Sequence, residues 1–263
     1  MTTPHSAVPE RSVVDRTLSI LGAFDKDNRT LSLSDISRRA GLPVATVHRI
    51  VNKLHLWGAL ERSTDGAYNI GLRLWETGAL APRSATLAEL ALPHLVTLQG
   101  QCSAAAILAI RDGDEGVCLG FVSGDPEFSG RWGDTARRLP LHATAVGLVL
   151  LAHASEAVRK QVCAGPLKSY GPNTVTDGAV LERCLVKVRR EGHAVVRDTL
   201  TEERGGFGMP VRDARGAVVA ALGVFGSAEA IQPLRLAPQV RAAADAVSRS
   251  LRADGLRLSE VGA

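Results

Sequence analysis

Residues 31–70 read LSLSDISRRAGLPVATVHRIVNKLHLWGALERSTDGAYNI, a spacing that predicts two helices around a tight turn, then a short hairpin. Ser32 and Ser34 are candidate N-caps of a helix running to about Ala40, with Asp35 in its first turn. Gly41 suits the left-handed residue that ends a helix, and Pro43 suits the first turn of the next. In that second helix Val47, Ile50, Val51 and Leu54 recur at i, i+3, i+4 and i+7 and form one apolar stripe. At about 100° per residue the opposite face collects Ala45, Thr46, Arg49, Asn52 and Lys53, with His48 on its flank. A helix that enters a major groove needs such small, hydrogen-bonding and cationic side chains. Ala45 permits close approach, Thr46 and Asn52 can read base edges or hold phosphates, and Arg49 can reach guanine or phosphate. Downstream, Ala59–Arg62, the turn Ser63–Gly66 and Ala67–Ile70 predict a hairpin wing. The whole outline is a winged helix-turn-helix that binds double-stranded DNA. The competing reading is a three-helix bundle whose polar face meets only water.

Size and composition set the wider frame. A chain of 263 residues, 45% hydrophobic and 22% charged, allows one large or two ordinary globular domains, with ample length for a buried core in each. The net charge of +4 is uneven: residues 1–83 carry +3 and residues 84–263 carry +1. That excess is mild, and the local cluster Arg38, Arg39, Arg49, Lys53 argues better for DNA than the overall balance. Ser34 and Arg38 on the first helix are counted with the second-helix face as DNA-contacting residues. Cys102, Cys118, Cys163 and Cys184 show no C-x-x-C pair and no His at zinc-finger spacing, so reduced, ordinary cysteines are expected, with no metal site and no cofactor. MTTPHSAVPERS lacks the apolar core of a signal peptide, and the longest apolar run, Ala143–Ala152, is too short to span a bilayer. A cytoplasmic protein without a membrane partner is expected.

Along the chain, residues 1–11 are polar and proline-bearing and are expected to be a disordered tail. Ser12 can cap a helix from Val13 to about Asp25, with Val14, Leu18, Leu21 and Phe24 facing inward and completing the DNA-binding domain, 12–71. Leu72, Trp75 and Ala79 share one face of a linker helix, within 72–83, where two copies are expected to meet. Another helix follows Pro82, with Leu87, Leu90, Ala91, Leu95 and Leu98 on one side. Within 84–254, Ala104–Ile110 and Val117–Val122 read as a hairpin. Leu139–His153 reads as a loop entering a buried helix, Glu156–Cys163 and Asp177–Glu191 as helices, Phe207–Val211 and Val218–Phe225 as strands. Pro238 is expected in the first turn of a last helix. The fold class is α+β, an antiparallel sheet flanked by helices.

Several patterns in order, RSVVDRTLSILGAF, LSLSDISRRAGLPVATVHRIVNKL, RLPLHATAVGLVLLA, REGHAVV and MPVRDARGAVVAALGVFG, resemble the IclR family of bacterial transcriptional regulators across nearly the whole chain. The resemblance implies an N-terminal winged helix, a linker helix and a C-terminal effector-binding domain of GAF-like fold. It also implies a homodimer or dimer of dimers on a partly palindromic operator, with a small-molecule effector changing DNA affinity, repression being expected over activation. It places the effector among His142, Ala145, Val146, Val196, Gly206, Phe207, Gly223 and Phe225, with backbone amides from Ala145 and Val146. The family's usual G-K is here Gly147-Leu148, the two serines of its S-x-S-G-P strand are Gly223 and Phe225, and Val196 stands where an acid is often found. Those departures favour an uncharged, partly apolar effector and leave a carboxylate only the amides, Arg197 or Arg204.

Two other classes remain open at this point. No catalytic residue is assigned, because G-x-S-x-G, the P-loop, H-E-x-x-H and G-x-G-x-x-G are all missing, and Gly205–Gly208 precedes a strand. A small-molecule-metabolising enzyme with an appended DNA-binding domain would have to use a pair such as His142 and Thr144. A ligand-independent architectural DNA-binding protein is the third reading.

Overall fold

A computed structural model describes residues 12–25, 27–80, 84–102, 104–126, 129 and 136–253; the expected tail 1–11 and the end of the linker, 81–83, lie outside them. The chain divides between Ala81 and Pro82 into two compact units.

In the first unit α1 is Val13–Leu21, β1 Thr30–Leu31, α2 Leu33–Ala40, α3 Val44–Trp57, β2 Leu60–Arg62, β3 Tyr68–Ile70 and α4 Leu72–Ala79. Ser12 caps α1 reciprocally: its hydroxyl accepts from the Asp15 N–H at 3.0 Å, and the Asp15 carboxylate accepts from the Ser12 N–H at 3.0 Å. The helix ends at Leu21 rather than near Asp25, because Arg39 of α2 claims the next segment, donating to the Ala23 carbonyl at 2.6 Å and pairing with Asp25. Ile20 and Ala23 are buried in this unit's core, whereas Val14 and Leu18, expected inside, are 66% and 60% exposed. The cap of α2 is Ser32, not Ser34, and Pro43 sits one residue before α3 rather than in its first turn. Gly41 between them has φ 64°, the left-handed geometry its position required. The sheet contains a strand absent from the sequence reading: β1 pairs with β3, giving the order β1-β3-β2.

The linker helix is fastened to this unit at its start. The Gly71 N–H donates to the Ala59 carbonyl at 2.8 Å, and a Cβ on Gly71 would lie 2.2 Å from the Gly58 carbonyl oxygen, so only glycine fits. The Leu72 N–H donates to the Glu61 carboxylate at 2.9 Å. Arg73 stacks over the Trp57 ring at 4.6 Å and donates to the Trp57 carbonyl at 3.1 Å.

In the second unit α5 is Ser84–Gln101, β4 Ala105–Asp112, β5 Glu115–Val122, β6 Arg138–Pro140 and α6 Ala145–Ala152. Then come α7 Glu156–Ala164, α8 Gly178–Glu191, β7 Ala194–Arg197, β8 Arg204–Arg212, β9 Val218–Ser227 and α9 Pro233–Ala253. The last helix begins five residues before Pro238, which lies inside it. All six strands pair antiparallel in the order β6-β5-β4-β9-β8-β7. The period of two sorts each strand between two cores. Leu108, Phe207, Met209, Leu222 and Val224 face α5 and α9, while Ile107, Ala109, Val196 and Ala221 face α6 and α8. The result is an α+β domain with helices on both sides of one sheet.

Candidate functional site

On α3 the expected stripe is the packed face. Val47, Ile50 and Val51 are buried in the core of the first unit, and Leu54 packs against it half-buried. Ala45, His48, Arg49, Asn52 and Lys53 are exposed, and Thr46 is half-buried at the edge of the face. Among the described residues neither Arg49 nor Lys53 has an ion pair or hydrogen bond, so both cations are available to a phosphate or a base edge. Asn52 and His48 touch each other, Nδ2 to Nε2, at 3.4 Å. Ser34 and Arg38 are exposed on α2. Arg38 is partly engaged, 2.6 Å from Asp35, whose carboxyl is held below its ordinary range first by the Ser32 hydroxyl and then by Arg38. Arg39 leaves the expected basic cluster: its guanidinium is spent on Ala23 and Asp25, inside the domain. Behind α3, the wing turns at Gly66, φ 86°, with Arg62 lying over the Tyr68 ring at 5.7 Å.

In the second unit a cavity lies between the start of α6 and the sheet. Ile107, Phe121, Leu139, Val196, Leu200 and Phe225 give it apolar walls, Gly205 and Gly206 a bare stretch of backbone, and Arg137 and Arg204 two cationic side chains. Ala145 and Val146 line it as the first two residues of α6. Thr144 caps the helix by accepting from the Gly147 N–H at 3.1 Å, and its own hydroxyl donates to the Pro140 carbonyl at 3.1 Å. The N–H groups of Ala145 and Val146 have no partner among the described residues, as the first turn of a helix dictates. Thr199, also on the wall, donates to the Ala143 carbonyl at 2.7 Å. The loop that carries Thr199 and Leu200 is bounded by Asp198 and Glu203, both at positive φ, 56° and 57°. Non-glycine residues persist in that geometry where the surroundings over-determine it, which happens often beside ligand sites.

Five of the eight expected effector residues, Ala145, Val146, Val196, Gly206 and Phe225, line this cavity. His142, Phe207 and Gly223 do not. His142 is buried, bonded through Nε2 to the Lys168 carbonyl at 2.9 Å and packed on Tyr170, so it pins a loop. Phe207 pairs with Val224 in register and points with it into the opposite core. Gly223 has no room for a side chain: a Cβ there would lie 2.2 Å from the Phe207 carbonyl oxygen. Arg197 turns away to the Ile231 carbonyl at 2.7 Å, leaving Arg204 as the one of the two arginines on the cavity. Phe121 and Arg137 were missed, since nothing in their local spacing marks them. For the linker, Leu72 and Trp75 are 59% and 66% exposed, while the side chain of Ala79 lies outside what the structure describes. Among the described residues no cluster of His, Cys, Asp and Glu could hold a metal ion, and no helix is long and apolar enough to cross a membrane.

A helix-turn-helix unit followed by a sensor-like domain with an internal cavity defines a ligand-responsive transcriptional regulator. The chain belongs to the IclR family: the IclR helix-turn-helix domain matches residues 13–64, and the bacterial transcriptional regulator IclR C-terminal domain matches residues 80–249. It is similar to the HTH-type transcriptional regulator XynR of Escherichia coli K12, 30% identical over 245 residues, 90% of this chain and 96% of that one. The HTH-type transcriptional repressor AllR of Klebsiella pneumoniae is 29% identical over 254 residues, 94% of this chain and 92% of that one. A crystal structure of an IclR homolog complexed with 4-hydroxybenzoate, from Microbacterium hydrocarbonoxydans, superposes with a TM-score of 0.87. That homolog is 35% identical, over 92% of this chain and 100% of that one. The protein is therefore a DNA-binding transcriptional regulator with an effector-binding C-terminal domain.

Proposed function

We propose that the protein is a cytoplasmic repressor that binds a partly palindromic operator as a homodimer or dimer of dimers, through the exposed face of α3, and that a small carboxylate with an apolar, aromatic body tunes that binding. The observation that carries the ligand class is an apolar cavity lined by Ala145 and Val146, whose N–H groups have no partner among the described residues, with Arg137 and Arg204 on its wall. Amides at a helix start favour an anion whatever the side chains are, and apolar walls favour a hydrocarbon body. The expectation of an uncharged effector rested on Leu148, Val196, Gly223 and Phe225; Val196 and Phe225 do line this cavity, Gly223 does not, and Arg137 was not counted. The 4-hydroxybenzoate complex of the Microbacterium homolog is of the same chemical class. Repression follows the AllR relative.

Dimerisation is assigned to α4, where Leu72 and Trp75 are apolar and exposed. Two recognition helices must lie one turn of DNA apart, about 34–36 Å, or a multiple of it. The experiment is a footprint on the upstream region of its own gene, repeated against a panel of aromatic and aliphatic carboxylates. One discrete protected palindrome, released or tightened roughly 5–150-fold by an aromatic acid, is the expected result. Broad coverage without a boundary would mean architecture instead of regulation. Trp75→Glu should give monomers by light scattering and lose the operator, and Ala145→Trp should keep the operator and lose the ligand response.

A further inference from the structure

We infer that His48 and Asn52 form one base-reading unit, in which His48 fixes the orientation of the Asn52 amide so that it reads an adenine; this rests on the major-groove placement of α3 proposed above. With Ala45 as zero and about 100° per residue, Asn52 falls near −20°, Arg49 near +40°, His48 near −60° and Lys53 near +80°. The buried stripe of Val47, Ile50, Val51 and Leu54 centres close to the opposite direction. Ala45 therefore points almost directly away from the core, with Asn52 and Arg49 about equally far on either side of that direction. The cations lie to one side of it and His48 to the other.

The 3.4 Å contact between Asn52 Nδ2 and His48 Nε2 joins residues one helical turn apart. Neither side chain has another partner among the described residues. In the tautomer with its proton on Nδ1, His48 accepts one N–H of the Asn52 amide. The amide keeps its other N–H and its carbonyl oxygen side by side. That pair matches adenine, which offers N7 as acceptor and the N6 amino group as donor, whereas guanine offers two acceptors and would oppose the carbonyl oxygen with O6. An asparagine alone can rotate its amide to either order. Here the amide can turn only if the imidazole proton moves from Nδ1 to Nε2 as well, so the two side chains switch together: His48 is a positioning residue and Asn52 the reader.

The test uses full-length protein and sites selected from random duplex DNA, followed by competition with variants carrying guanine for adenine at each position. The wild type should show one adenine per half-site whose replacement costs roughly 5–150-fold. Asn52→Ala should bring that ratio close to one while leaving the other positions unchanged. His48→Ala should lower it, His48→Gln, which keeps an acceptor, should restore it, and His48→Lys, which offers only donors, should not. A helix-stabilising role alone would leave all base ratios in place. Unchanged ratios in Asn52→Ala, with Arg49→Ala abolishing binding, would overturn the unit and spare the groove placement. Equal ratios in all three His48 variants would show that Asn52 reads unaided and would also overturn it. Wild-type affinity in Arg49→Ala, Lys53→Ala and Asn52→Ala together would sink the placement itself.

Discussion

Of the fourteen residues of α3, Val47, Ile50 and Val51 are buried, whereas all eight residues of α6 are. These are the two helices proposed above for DNA and ligand recognition, and the atoms they can present differ. α3 anchors one narrow face and leaves the side chains of the other exposed, so they can be exchanged residue by residue without disturbing the core. α6 has no free face. Two of its residues, Ala145 and Val146, line the cavity, and the binding proposed above would use their backbone N–H groups. Recognition by side chains is separable from stability; recognition by a buried backbone is not.

Substitutions on the two helices should split along that line. The largest effect belongs to Leu151→Ala on α6, which removes a fully buried side chain and should cost about 2–5 kcal/mol, read as an earlier urea transition of the effector domain. A cost under about 1 kcal/mol would mean that α6 is less tightly held than its burial implies. Arg49→Ala on α3 should weaken operator binding by about 1–3 kcal/mol and leave the melting temperature alone. Its neighbour Lys53→Ala should reduce the salt slope of binding by about one. Thr144→Val deletes the cap of α6 and should cost about 1 kcal/mol of stability. The same change should weaken ligand binding by calorimetry, because the Ala145 and Val146 amides lose their fixed direction.

The smallest effect concerns His153, the residue that closes α6. Burial, with Arg212 and Arg189 adding repulsion, holds its imidazole below the ordinary 6.5, against the pull of the Val149 carbonyl. The unfolded chain therefore takes up a proton before the folded one does. Its contribution is complete above about pH 6.5 and is lost as the pH falls towards the depressed value. Thermal melts between pH 5 and 8 should show this slope, and His153→Gln should flatten it.

How much of this was readable beforehand follows the same division. The α3 stripe and its polar face are written in the spacing of Val47, Ile50, Val51 and Leu54, because a half-exposed helix must alternate. The sequence also carried Ser12, Ser32 and Gly41, whose roles are local to a helix end. It did not carry β1 or β6, which are too short to show a period and exist through their neighbours β3 and β5. Nor did it carry which of two adjacent strand residues enters the cavity. Phe225 lines the cavity and Phe207 does not, and the difference is one step of register between β8 and β9. Arg39 and His142 misled for another reason: a cation and an imidazole look available in a string of letters, and both are consumed by carbonyls far along the chain, Ala23 and Lys168.

The close approach of Gly71 to Gly58 decides where this protein can be cut and rejoined. A chimera joined at Gly71, where the wing ends, would discard the helix that Glu61 and Trp57 hold, and would leave those two groups without their mates. Joined after Leu80, the reading head carries α4 with it, complete with the exposed Trp75. A graft made there onto a foreign sensor keeps α4 attached to the helix-turn-helix unit, and a graft made nine residues earlier keeps α3 but loses α4.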